Sequence, residues 1–184
     1  MRILAISGSL RRGSHNTMLL RAAGGLLAPE HELVFWDGLR DVPPYDEDSD
    51  AEQAPAPVSA LREAVRAADA VLIATPEYNS SIPGQLKNAL DWASRPYGIS
   101  AVVGKPAGVI SASTGSFGGR WAQEDVRKAL RLSGAAVLGE GLAVGKAAER
   151  LAVAGEVDPE IAAGIDDVLA QLAAAVTDRY ALAS

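Results

Sequence analysis

The sequence predicts an α/β fold in which helices cover both faces of a parallel sheet. Short apolar runs of strand length alternate along the chain with segments whose apolar residues recur at helical spacing. The run at residues 70–74, Ala-Val-Leu-Ile-Ala, is apolar at every position, as in a central parallel strand that is buried on both faces. With 184 residues, of which 48% are hydrophobic, the chain is expected to form a single domain over residues 1–184.

The amino-terminal half is expected to contain three strands and two helices. A strand at residues 3–6 precedes a helix at 18–27, and a second strand follows at 32–36. The acidic, proline-rich stretch 37–57 is interpreted as a long surface loop over one end of the sheet. Apolar residues at helical spacing then predict a helix at 58–68, directly before the strand at 70–74.

The carboxyl-terminal half continues the alternation. An apolar stripe from Leu86 to Ala93 predicts the third helix, and residues 106–110 the fourth strand. The fourth helix is expected at 121–132 and the fifth strand at 135–138, with its pattern extending weakly toward residue 144. Residues 139–156 show little pattern. The last helix begins at Asp158-Pro159-Glu160, where proline suits the first helical position.

Composition excludes several classes of chemistry. The chain has no cysteine, so disulfides, thiolate metal sites and cysteine nucleophiles are excluded, and its two histidines lie in unrelated contexts. A net charge of −6 gives no general attraction to nucleic acid or to an anionic membrane. No run of 18 apolar residues suggests membrane insertion, and the first residues form a strand pattern instead of a signal peptide. We therefore expect a cytoplasmic protein whose redox chemistry, if any, comes from a bound organic cofactor.

The polar loop at residues 7–17 has the composition of an anion site. It lies between the first strand and the first helix and is rich in glycine, serine and arginine. Free backbone N–H groups and the positive end of the helix dipole meet there, and arginine offers a fork for phosphate. The loop matches neither the Walker A nor the Gly-x-Gly-x-x-Gly pattern. Our hypothesis is that it holds the phosphate of a nucleotide-like cofactor; the alternative is a serine-capped helix whose arginines face water.

Two further loops follow strands that end at the same edge of the predicted sheet. In such sheets ligands bind beyond the carboxyl ends of the strands. The loop at 75–84 is stiffened by two prolines and offers the ring of Tyr78 and the amide of Asn79, which suits a flat heteroaromatic ligand. The loop at 111–120 is made of small residues against which a ligand can lie. The alternatives are a proline-rich turn and an ordinary flexible connection.

Three sets of motifs lie in and beside these loops, over about residues 1–138. They are Gly8-Ser9-Leu10-Arg11-Arg12-Gly13-Ser14-His15-Asn16; Pro76-Glu77-Tyr78-Asn79 with Leu86-Lys87-Asn88-Ala89-Leu90-Asp91-Trp92; and Gly104-Lys105-Pro106 with Ser113-x-Gly115-x-x-Gly118-Gly119. Together they resemble the NADPH-dependent FMN reductase family, which includes bacterial quinone and chromate reductases. The resemblance implies a flavodoxin-like three-layer sandwich with a five-stranded parallel sheet in the order 2-1-3-4-5. The chain departs from the usual family pattern at Arg120 and Trp121.

The resemblance also implies the residues that bind FMN. The phosphate loop would supply Ser9, Arg11, Ser14 and Asn16, with Thr17 beginning the helix under it. The isoalloxazine ring and ribityl chain would lie against Pro76, Glu77, Tyr78 and Asn79. The third loop would place Ser113 and Gly115 beside the flavin. We assign no catalytic acid or base and no metal ligand; Glu77 as a general acid is the less favoured alternative.

The implied activity is the transfer of two electrons from NADPH or NADH to quinones or similar acceptors, such as chromate, free flavin or azo compounds. Because the flavin takes the hydride and then reduces the acceptor, the cycle would be ping-pong. The resemblance further implies a homodimer or homotetramer. Three alternatives stay open: a non-catalytic FMN electron carrier, a nucleotide- or sugar-phosphate enzyme without flavin, and an interaction module.

Overall fold

One parallel sheet forms the centre of the computed structural model, which describes residues 1–151 and 158–183. Five strands lie in the order β2-β1-β3-β4-β5, and a sixth, β6, pairs with β4 beyond the end of β5. The predicted order 2-1-3-4-5 is confirmed, and the sixth strand is an addition to it. The strands are β1 Arg2–Ser7, β2 Glu32–Phe35, β3 Ala70–Thr75, β4 Pro106–Ala112, β5 Ala136–Val137 and β6 Leu142–Val144.

Helices cover both faces of the sheet, as predicted. Within the described ranges they are α1 His15–Leu26, α2 Glu47–Glu52, α3 Ala56–Ala67, α4 Gly84–Ala93, α5 Arg120–Leu132, α6 Ala147–Arg150 and α7 Pro159–Ala183. Apolar residues of α3, α4 and α5 pack on one face, and those of α1 and α7 pack on the other. Side chains along β1 alternate between the two layers because successive residues of a strand point to opposite faces. None of the described helices is long and apolar enough to cross a membrane.

The central strand β3 lies between β1 and β4 and aligns the ends of all three strands. All of its residues are buried, and it pairs in parallel with β1 on one side and β4 on the other. The carboxyl ends of these three neighbouring strands therefore lie side by side. The loops that follow them meet at one edge of the sheet.

The expectation of a plain surface loop at residues 37–57 was wrong. The stretch contains a 3₁₀ turn at Gly38–Asp41, helix α2 and the start of α3. Leu39 and Val42 are each only 3% exposed and join the core beneath α3 and α4. Their carbonyl oxygens both accept from Gln85 Nε2, at 2.8 Å. The segment folds down onto α4 because side chains of α4 satisfy its backbone.

The fifth strand is broken into β5 and β6, and α5 spans the gap. The buried side chain of Gln123 donates to Val109 O at 2.8 Å and to Glu140 O at 3.1 Å. Arg127, also buried, donates to Leu138 O and Gly139 O. These two polar residues replace the ladder bonds that the break removes. Part of the unpatterned stretch 139–156 is thus β6 and α6, while residues 152–157 lie outside the described residues.

Candidate functional site

The loops after β1, β3 and β4 enclose a cleft of about 210 Å³ at the carboxyl edge of the sheet. All three come from segments that the sequence singled out. The lining residues are Ser9, Arg11, Ser14, His15, Asn16, Pro76, Glu77, Tyr78, Ala112, Ser113 and Thr114.

The first loop passes from β1 into α1 through a close backbone contact. The Gly8 N–H donates to Ala74 O at 2.8 Å, and a Cβ at Gly8 would lie 2.6 Å from a methyl group of Leu86. Glycine allows this close approach, and a larger residue would require the buried Leu86 side chain to shift. Ser14 then caps α1, because its hydroxyl accepts the Thr17 N–H at 3.3 Å. The chain therefore presents the amino terminus of α1 to the cleft.

The donors at this terminus suit a phosphate group. The backbone N–H groups of His15 and Asn16 have no acceptor within the described residues. The hydroxyls of Ser9 and Ser14 each accept a backbone N–H, so each keeps its own proton for another acceptor. No carboxylate of the described chain pairs with Arg11. Free amides, hydroxyls and an unpaired guanidinium together form an anion site.

Asn16 connects this loop to the end of β4. Its side-chain amide donates to Ala112 O at 3.0 Å and accepts from Ala112 N at 2.9 Å, and the residue is 2% exposed. The side chain therefore imitates a strand partner for the last residue of β4. It thereby connects the first loop to the strand end from which the third loop starts.

The second loop contains a tight turn between Tyr78 and Ser81. These two residues exchange both backbone hydrogen bonds, at 3.2 and 3.1 Å. Asn79 and Ser80 between them have φ values of 52° and 59°, in the left-handed region that non-glycine residues seldom adopt. The strained turn leaves the Tyr78 side chain 53% exposed beside the cleft.

Glu77 binds the amino terminus of α5. Its Oε2 accepts the N–H of Trp121 at 3.0 Å and that of Ala122 at 3.2 Å. Helix α5 has no capping side chain of its own, since Gly119 occupies the cap position. The carboxylate therefore satisfies two free N–H groups and the helix dipole from another loop. This contact explains the residue without a proton-transfer role.

We expect Glu77→Ala to destabilise the protein by about 1 kcal/mol, the usual loss when a helix cap is removed. Thermal unfolding of the flavin-free chain measures the effect. Glu77→Gln retains an acceptor oxygen and should lose less. Equal unfolding temperatures for all three proteins would contradict the capping role.

The third loop is supported by the last residue of β6 and by the residues that follow it. Ser113 N–H donates to Val144 O, and Ser113 O accepts the Ala147 N–H, both at 3.0 Å. Gly115 O accepts the N–H of Lys146, also at 3.0 Å. Residues 144–147 belong to a stretch with little sequence pattern. They nevertheless position the third loop, whose sequence motif is clear.

Eight of the eleven residues predicted to bind FMN line the cleft, and three do not. The hydroxyl groups of Thr17 and Ser7 form a hydrogen bond below the loop, with their oxygens 2.9 Å apart. Asn79 is in the strained turn, and the Gly115 N–H donates to Ser113 Oγ. The cleft also contains residues that the sequence analysis left out of that set: His15, Ala112 and Thr114.

Arg40 is another residue beside the first loop that the sequence analysis did not predict. Its guanidinium donates to Leu10 O at 3.0 Å and so tethers the first loop from the far side. No local pattern indicates this contact, since it joins residues 30 positions apart. It adds a second cation near the proposed anion site.

Lys105 of the third motif lies at the opposite edge of the sheet. The side chain is buried, and its ammonium group donates to Ala68 O, directly after the last residue of α3. Burial lowers the pKa of Lys105. A cation at a helix carboxyl terminus is favourable. This residue is therefore structural.

Two exposed aromatic side chains lie at the start of α5. Phe117 and Trp121 are 60% and 42% exposed, with ring centroids 5.0 Å apart. The Trp121 N–H binds the carboxylate of Glu77, which itself lines the cleft. Of the three exposed rings, that of Tyr78 belongs to a residue that lines the cleft, whereas Phe117 lines a separate pocket with Arg120.

Comparisons with known proteins agree on one family. A family model described as NADPH-dependent FMN reductase matches residues 1–149. A Pseudomonas aeruginosa protein named NAD(P)H-dependent FMN reductase is 48% identical over 130 residues, covering 71% of this chain and 69% of that protein. A quinone reductase of Escherichia coli K12 is 36% identical over 167 residues, covering 90% and 86%. Among solved structures, the flavoenzyme NAD(P)H:(acceptor) oxidoreductase FerB from Paracoccus denitrificans has a TM-score of 0.83 at 34% identity, covering 94% of this chain and 97% of that one.

Proposed function

Because the chain belongs to the NADPH-dependent FMN reductase family, we propose that it passes two electrons from NADPH or NADH to quinones. Membership makes it an oxidoreductase that uses FMN and a nicotinamide nucleotide. The observation that carries the proposal is the cleft, in which a set of hydrogen-bond donors at the α1 terminus faces two loops suited to a flat ring.

In this proposal each part of the cleft binds a different part of FMN. The hydroxyls of Ser9 and Ser14, the first N–H groups of α1 and the Arg11 guanidinium bind the phosphate. Pro76, Glu77 and Tyr78 line the space for the ring. Bound FMN supplies the chemistry, a ring that accepts hydride and releases two electrons.

The nicotinamide nucleotide and the acceptor would enter the cleft in turn, which makes the cycle ping-pong. Tyr78 lines the cleft and is 53% exposed, so it offers a ring face on which a flat molecule can stack. Quinones are flat and suit such a face best; chromate, free flavin and azo compounds are further acceptors to test. Initial rates that give parallel lines in double-reciprocal plots would support the ping-pong order.

We further propose one FMN-binding domain over residues 1–184, a cytoplasmic location, and assembly into a homodimer or homotetramer. Large exposed apolar side chains support assembly: Tyr97 is 77%, Ile99 81% and Leu132 69% exposed. Such residues are enriched where subunits meet.

A visible absorption spectrum under nitrogen tests the proposed function. We expect the purified protein to be yellow, to bleach with one NADPH or NADH per flavin, and to regain colour when a quinone is added. Yellow protein that neither nucleotide bleaches would indicate an electron carrier instead. Colourless protein that cannot be loaded with FMN would overturn the flavin assignment.

A further inference from the structure

A second pocket, of about 390 Å³, lies between α5 and the segment 140–143, and the proposed function so far gives it no role. The third loop contributes to both spaces: Ser113 and Thr114 line the cleft, whereas Ser116 and Phe117 line this pocket. Because an extended chain spans at most about 3.6 Å per residue, Thr114 and Phe117 are no more than roughly 11 Å apart. A ligand made of two linked halves is long enough to place one half in each space.

The back of the pocket is built from buried polar side chains that are already paired. Gln123 and Arg127, which are 4% and 3% exposed, bind backbone carbonyls across the gap between β5 and β6. Arg127 also lies 4.0 Å from the carboxylate of Glu140. Burial lowers the pKa of the Arg127 guanidinium, whereas the negative charges of Glu140 and Glu124 raise it. The pocket therefore has a fixed back wall, and both of its carboxylates act on Arg127.

Arg120 is the cation of this pocket that forms no ion pair. It is the exposed first residue of α5, and no carboxylate of the described chain pairs with it. Glu124 follows four positions later, at a spacing that suits an ion pair on a helix, yet the structure shows no such pair. The Arg120 guanidinium is thus available to an anion from outside, and its planar fork of N–H groups suits a phosphate.

An aromatic face belongs to the same pocket. Phe117 is 60% exposed, and Trp121 packs against it with the ring centroids 5.0 Å apart. Heterocyclic bases stack on such rings. The carboxylates of Glu124 and Glu140 accept hydrogen bonds from hydroxyl and amino groups. A ring face, an unpaired guanidinium and carboxylate acceptors together match a phosphorylated adenosine, which has a base with an amino group, ribose hydroxyls and a phosphate.

We propose that this pocket binds the adenosine half of NADPH, with the Arg120 guanidinium on the 2′-phosphate. The proposal rests on the function proposed above and names the nucleotide that the protein prefers. The nicotinamide half enters the cleft while the adenosine half lies in the pocket. NADH has a ribose hydroxyl in place of the 2′-phosphate and therefore leaves Arg120 unpaired. Arg120 is thus the residue that discriminates between the two nucleotides.

Calorimetric titration of the flavin-loaded protein tests the pocket without turnover, and bound FMN keeps the probes out of its own phosphate site. The probes are adenosine 2′,5′-bisphosphate and adenosine 5′-monophosphate, which differ only in the 2′-phosphate. We expect the bisphosphate to bind about ten- to a hundredfold more tightly, as a hydrogen bond between charged groups predicts. Arg120→Ala should abolish this difference. Arg131→Ala should retain it, because Arg131 is an exposed arginine of the same helix that does not line the pocket.

Inhibition of the wild-type enzyme tests whether the pocket and the cleft form one nucleotide site. Adenosine 2′,5′-bisphosphate should raise the KM for NADPH and leave kcat unchanged. The ratio of kcat/KM for NADPH to that for NADH should fall about ten- to a hundredfold in Arg120→Ala and stay constant in Arg131→Ala. Inhibition that lowers kcat without competing with NADPH would overturn the proposal.

The outcomes separate this proposal from the function on which it rests. If the chain cannot be loaded with FMN, the proposed function fails and this proposal with it. If NADPH or NADH bleaches the bound flavin, but the two adenosine probes bind equally well, only the role of the pocket is overturned. The same holds if Arg120→Ala keeps the wild-type preference. If Arg120→Ala does not fold, the comparison of the two probes on the wild-type protein still decides.

Discussion

Asn16→Ala is expected to destabilise the protein by about 2–4 kcal/mol and to weaken FMN binding at the same time. The substitution leaves the buried N–H and C=O of Ala112 without partners, and each unpaired buried group costs about 1–3 kcal/mol. It also frees the first loop from the end of β4, so the phosphate donors and the third loop no longer keep their spacing. Thermal unfolding should show a decrease of roughly 2–4 °C per kcal/mol for a chain of this length.

Asn88→Ala is the matched control for this prediction. Asn88 makes the same pair of contacts elsewhere: its amide donates to Pro43 O at 2.8 Å and accepts from Tyr45 N at 2.7 Å. It lies on α4 and does not line the cleft. We expect its loss to lower stability without changing flavin affinity. If the two variants affect FMN binding equally, Asn16 has no special role in connecting the loops.

Gly118→Ala is expected to destabilise the protein strongly through a single added methyl group. Gly118 has a φ of 67°, which L-residues adopt at a cost of about 1–2 kcal/mol. A Cβ there would lie 2.7 Å from Ala143 C and Val144 N, which are backbone atoms that cannot rotate away. The third loop would have to separate from β6. We expect a destabilisation of at least about 3 kcal/mol, together with loss of flavin binding.

Gly25→Ala tests whether the effect belongs to that position. Gly25 is an exposed residue of α1, and a Cβ there would meet no atom within 4 Å. Because alanine is the better helix former, this substitution should be neutral or stabilising by up to about 1 kcal/mol. Urea unfolding of both variants gives the comparison. A Gly118→Ala protein as stable as Gly25→Ala would show that the two backbone segments are not in close contact.

The main features of the fold could be predicted because they depend on local pattern. The buried strands β1, β3 and β4 are continuous apolar runs, and the helices have apolar residues at regular spacing. Two segments were exceptions. Residues 37–57 are polar overall, yet Leu39 and Val42 are buried because Gln85 satisfies their carbonyls. The fifth strand is broken in two, and two polar side chains of α5 fill the gap.

The candidate site also combines features that the local sequence predicted with features that only the folded chain shows. The composition of residues 7–17 indicated an anion site, and the structure places an open helix terminus there. Composition did not indicate that the Glu77 carboxylate caps α5, 44 positions along the chain. Nor did it indicate that Asn16 pairs with the backbone of Ala112, 96 positions away. His15 also lines the cleft, and it could have been included from its place beside the serine cap.

By itself, the sequence determined the alternation of strands and helices, the parallel sheet and the three polar loops at its carboxyl edge. These features follow from apolar periodicity and from residue types at helix starts, both of which act over a few neighbouring positions. Only the tertiary structure decided which polar side chains face the cleft and which ones connect the loops. The reason is that a buried amide or carboxylate takes whichever backbone partner the packing brings near, and that partner can lie anywhere in the chain.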